Sequence, residues 1–81
     1  MPEQAADNAR VVAERLQAQG HADHATCLRS ALAGTGEGLL LAVREACQTI
    51  LTAIEAIDPV SATMVEELRL EVDRRLGAPA P

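Results

Sequence analysis

Eighty-one residues make one domain and can bury only about 60% of the surface of the unfolded chain, and with no Phe, Tyr or Trp the core must come from Ala, Leu, Val and Ile. The net charge of −5 is spread along the chain with no basic block, which argues against nucleic acid as a partner, because phosphate binding draws on clustered Lys and Arg. The most apolar stretch, Leu39 to Ile57, carries Arg44, Glu45, Gln48 and Glu55, which excludes a membrane span, and Met1 to Arg10 hold no apolar run that could serve as a secretory signal.

A first helix is expected over about residues 3–19, with Ala5, Ala9, Val12 and Leu16 on one face and Ala6 and Ala13 beside them. The face is small, so a neighbour can approach closely. Gly20 is placed to end this helix in a left-handed conformation, and a second helix, about 22–33, follows with Ala25, Leu28 and Leu32 as its stripe and Gly34 as its stop. The short linker makes the two an antiparallel helical hairpin.

Thr35 can cap a third helix running over 36–57. Glu37, Arg44, Glu45, Gln48, Thr52 and Glu55 fall in one arc of it, about 100° wide at 100° per residue, and among the large apolar residues only Leu41 joins them. The rest is apolar: Leu39, Val43, Ala46, Ile50, Ala53 and Ile57 form one ladder, and Leu40, Cys47, Leu51 and Ile54 lie beside it. Asp58-Pro59 reads as an N-cap followed by proline at the first helical position of a fourth helix, 59–76, with a Thr63/Glu66 capping box as the alternative start. Val65, Leu68, Val72 and Leu76 point inward on it, Arg69–Asp73 and Glu71–Arg75 can pair outside, and Gly77 stops it. Arg44, at the edge of the apolar arc, is placed to reach Gln48 or an acid on a neighbouring helix. Residues 1–77 thus form a single all-α domain, a four-helix bundle of hairpin, long central helix and C-terminal helix, while the Ala/Pro tail 78–81 has no apolar anchor and reads as disordered.

The apolar arc of the third helix exceeds the narrow stripes of the other three. Leaving four or five of its large side chains wet would forgo about 1.5–3 kcal/mol each, comparable with the whole stability of a domain. A second copy of the chain is therefore expected over Leu39, Leu40, Val43, Cys47, Ile50, Leu51, Ile54 and Ile57, giving a dimeric bundle with this helix near the axis. The rival arrangement is a lone bundle in which the other three helices wrap the third completely.

Chemistry-bearing residues are sparse. His21, His24 and Cys27 recur every third residue and offer imidazole and thiolate for zinc or copper, but there is no fourth ligand and no Cys-x-x-Cys or His-x-x-x-His pair; the expected reading is a solvated His21 in the linker, a partly buried His24 beside Leu28 and Cys27 as a small hydrophobe. Cys27 or Cys47 with His24 lacks the positive cluster and third orienting group that would activate a thiol, and the two cysteines are expected reduced and buried, as suits a cytoplasmic protein. Gly34-Thr35-Gly36-Glu37-Gly38 has neither the preceding strand nor the lysine of a phosphate-binding loop. Glu66, Glu67, Glu71 and Asp73 make the fourth helix acidic, which more often means a solvated face than a docking site. The seven basic residues are all Arg, which with the abundance of Ala reads as the codon bias of a GC-rich, bacterial-type genome. With no cofactor motif and no convergent acid, base or nucleophile, the expectation is a non-enzymatic protein-interaction module, a homodimeric adaptor or regulator with a further protein as its second candidate partner, met through exposed side chains of helices 1 and 4. A metal- or redox-responsive regulator using His21, His24 and Cys27 is the alternative.

Overall fold

The computed structural model describes residues 2–77, with side chains from Ala5 onward, and the tail expected to be disordered lies outside the described residues. The described residues form four α-helices: α1 (Pro2–Ala18), α2 (Ala22–Ala31), α3 (Gly36–Ile54) and α4 (Pro59–Arg75).

The stops follow the local chemistry. Gly20 adopts φ +87°, and the Gly20 and His21 N–H groups donate to the carbonyls of Gln17 and Leu16 at 3.1 and 2.8 Å, closing α1 with a Schellman turn. The last turn of α2 closes with i to i+3 bonds from Leu32 and Ala33, so α2 ends two residues before the expected limit. The left-handed glycine at that junction is Gly36, not Gly34. α3 stops at Ile54 and not at Ile57, because the N–H groups of Ile57 and Asp58 both turn back to the Ile54 carbonyl at 3.0 and 2.8 Å. Pro59 disfavours a helical Asp58, and the chain uses that break to reverse direction. Asp58 then caps α4, its Oδ1 accepting from the Ser61 N–H at 3.2 Å with Pro59 at the first position; Thr63 bonds the Pro59 carbonyl instead of opening a helix of its own.

Each helix packs on the next and α1 closes back on α4, so the four ring one core. The radius of gyration is 11.6 Å, against about 11.7 Å for a compact domain of this length. The accessible surface is 4783 Å², against roughly 4,700 Å² for a folded monomer of 8.5 kDa. The chain is closed around itself.

That closure corrects the reading of the third helix. Of the residues expected to meet a second copy, Leu39, Leu40, Val43, Cys47, Ile50 and Ile54 are buried by the chain's own helices, and Ile50 and Ile54 are 0% exposed. Leu51 is half-buried against the same core, and Ile57, outside the helix in the turn, is 72% exposed. The physical reason is that α3 packs chiefly on α4 and next on α2. Val65, Leu68 and Val72 of α4 and Leu28 of α2 share the core with α3, and α1, whose Ala5, Ala9 and Ala13 let it lie close to α2 and α4, closes the ring behind them. The case for a second copy can no longer rest on α3.

Candidate functional site

The most connected polar cluster joins the two turns at one end of the bundle. His21 follows the Schellman turn of α1, and its Nε2 lies 2.9 Å from Asp58 Oδ2 in the α3–α4 turn; both side chains are about five-sixths covered (15% and 16% exposed). Asp58 also takes hydrogen bonds from the side chain and backbone N–H of the fully buried Ser61, and Ser61 Oγ accepts from Arg15 Nε at 3.2 Å. The Ser61 side-chain bond, then that to His21, then the Ser61 N–H hold the Asp58 carboxyl down at about 2.

Serine, histidine and aspartate meet here, but in an order that does no acyl-transfer chemistry. A nucleophilic serine needs the imidazole as its base, whereas this hydroxyl is engaged by the carboxylate and an arginine and is sealed from solvent. The cluster is a clasp between turns. His21, expected in solvent, is one half of it.

The histidine–cysteine set does not converge. The rings of His21 and His24 are 6.3 Å apart centre to centre, His21 is turned to Asp58, and Cys27, expected to be buried, is exposed on α2, on the side away from the Ala25 and Leu28 stripe. Among the described residues no three His, Cys, Asp or Glu side chains gather into a group that could hold a metal ion. Cys47 is buried in the core, and desolvation pushes its thiol up to about 12, which leaves almost no thiolate at neutral pH. No helix of the described residues is long and apolar enough to cross a membrane.

The acids of α4 turn out to be mostly spent within the fold. Glu66 binds Arg69 in a forked pair that lowers its carboxyl below the usual range; Asp73 bridges Arg69 at 2.9 Å and Arg44 of α3 at 3.0 Å; Glu71 accepts from Asn8 of α1 at 2.6 Å and meets Arg75 at 3.4 Å. Glu67 is exposed and has no such partner among the described residues. Arg44 reaches the neighbouring acid, not Gln48, and the two helical pairs form as their spacing predicts.

The surface carries several shallow grooves lined by both apolar and polar side chains, and one of them is bordered by the exposed Val11. Val12 and Leu68 lie under it, Val11 and Met64 line it, and Asn8, Glu67 and Glu71 flank it, between antiparallel α1 and α4. Its volume is about 230 Å³, below the roughly 300–1,000 Å³ of small-molecule sites, and it opens broadly to solvent. Val11 is 57% exposed, since the stripe that buries Val12 leaves its neighbour about 100° away on the far side of the helix. That pattern was visible in the Val11-Val12 pair, although the sequence did not show that Met64 would stand opposite.

Compared with protein-family models, curated proteins and solved structures, the chain finds no match in any of the three. The described residues form a four-helix bundle whose exposed large apolar side chains are Val11 on α1, Leu41 on α3, Ile57 in the turn before α4, and Val60 and Leu70 on α4.

Proposed function

We propose that this protein is a non-enzymatic interaction module that receives a segment of another protein in the groove between α1 and α4. The observation behind this reading is the pairing of exposed Val11 with Met64 over a shallow apolar floor, in a fold whose other large apolar side chains mostly fill its core. Burying such side chains on association gives about 25 cal/mol per Å² of gross driving force, which solvent contact forgoes. A groove between two helices has the form that accepts an amphipathic helix through anchors at i, i+3 or i+4, and i+7. Self-association is the variant to be measured beside it; the large apolar residues a copy could still reach are Val11, Leu41, Ile57, Val60 and Leu70, not the buried face of α3.

Selection of displayed peptides on the immobilised protein tests the reading. Peptides that bind the native chain and lose binding on Val11→Ser and Met64→Ser, with helical circular dichroism unchanged, are the expected result. Peptides indifferent to both substitutions would refute it.

A further inference from the structure

Resting on that reading, we infer that the occupant of the α1–α4 groove is a basic amphipathic helix of a different protein, not a second copy of this chain. The argument is an account of charges. Six of the seven arginines are already engaged inside the fold: Arg10 with Asp7, Arg15 with Ser61, Arg29 with Gln17, Arg44 with Asp73, Arg69 with Glu66 and Asp73, and Arg75 with Glu71. Among the described residues only Arg74 has no such partner. The carboxylates are in the opposite position. Glu14, Asp23, Glu37, Glu45, Glu55 and Glu67 have no hydrogen-bonded or ion-paired cation among the described residues.

The groove samples this imbalance directly. Glu67 and Glu71 are the only charged residues lining it, and Glu14 lies three residues from Val11 on the exposed side of α1. A second copy docked there would bring acid against acid: it carries the same six unpaired carboxylates and, among the described residues, one arginine without a partner, Arg74, to set against them. A partner with Lys or Arg flanking an apolar stripe meets the walls with opposite charge and the floor with methyl groups. The lining runs from Met64 to Glu71 on α4, about two turns, which matches three anchors at i, i+4 and i+7.

The probe is a synthetic helical peptide with Leu at i, i+4 and i+7 and Arg on both flanks, titrated into the full chain by fluorescence anisotropy. Its controls are the same peptide with Glu flanks and a scrambled Arg peptide of equal charge. Expected is binding of the amphipathic Arg peptide alone, weakened roughly three- to tenfold by Glu14→Gln with Glu67→Gln, weakened again by raised salt, and lost in Val11→Ser. If the Glu-flanked peptide binds equally well and Val11→Ser abolishes it, the groove docks helices but the charge inference is overturned. Equal binding of the scrambled peptide would reduce the effect to bulk attraction and overturn it too. A species of twice the chain mass in sedimentation, returned to one chain by Val11→Ser, would make a second copy the occupant; no binding and no self-association would end both this inference and the proposed function.

Discussion

His21 and Asp58, 37 positions apart, meet at 2.9 Å and fasten the α1–α2 turn to the α3–α4 turn. One carboxylate thus caps α4 through its Oδ1 and holds a neighbouring turn through its Oδ2. Asp58→Ala, which removes both cap and bridge, should lower the melting temperature by more than His21→Ala, which removes the bridge and leaves the cap, and the double variant should lose less than the sum of the two. The acid limb carries the sign. Asp58 goes from 3.8 to about 2 in the fold, so its carboxylate stabilises the native state above the higher value, and that contribution disappears as pH falls through the lower one. Melting curves between pH 5 and pH 1.5 check this: the gap between native chain and Asp58→Asn should close on acidification.

The core prediction separates two isoleucines of similar sequence setting. Ile50→Ala should cost roughly 2–5 kcal/mol, since the side chain is fully enclosed, and Ile57→Ala should stay within about 0.5 kcal/mol, since it is 72% exposed. Urea unfolding measures both. Equal costs at the two positions would mean that something covers the α3–α4 turn.

The thiols should divide in the same way. Cys27 is exposed and should react promptly with a disulfide reagent, while Cys47, buried and pushed up to about 12, should react only on unfolding. One titratable thiol in the native protein and two in denaturant is the expected stoichiometry.

Two glycines give opposite signs. Gly20 has open space around its Cβ position but a φ of +87°, so Gly20→Ala should cost about 1–2 kcal/mol in backbone strain alone. Gly38 lies inside α3, has no positive φ and is equally open, so Gly38→Ala should stabilise by roughly 0.5–1 kcal/mol. Thermal melts of the two variants, displaced in opposite directions, check the pair.

The elements were legible because their punctuation is chemical and local. Gly20 and Gly77 stop helices in left-handed turns, Asp58-Pro59 starts one, and Arg69–Asp73 and Glu71–Arg75 sit at a spacing that brings them together on any helix. Cover of α3 was not legible. The width of a stripe says how much a helix can bury and not which neighbours reach it, and here α4 and α2 both lie on α3 while the alanine face of α1 closes the ring against those two. The His21–Asp58 clasp was missed for a different reason: the spacing of the residues says nothing about it. Topology would have found it, since in an up-down bundle the first and third turns share an end. The acidic face of α4 was judged by composition, and pairing then left Glu67 as its free carboxylate along the α1–α4 groove.

One chain encloses Ile50 and Ile54 completely with its own helices and leaves Val11 exposed beside the α1–α4 groove. Urea unfolding followed over about two decades of protein concentration tests that enclosure most directly. A midpoint independent of concentration is predicted, because the native state needs no second copy to cover α3. A midpoint that climbs with concentration, together with loss of structure on dilution, would show that another chain finishes the core and would contradict the account.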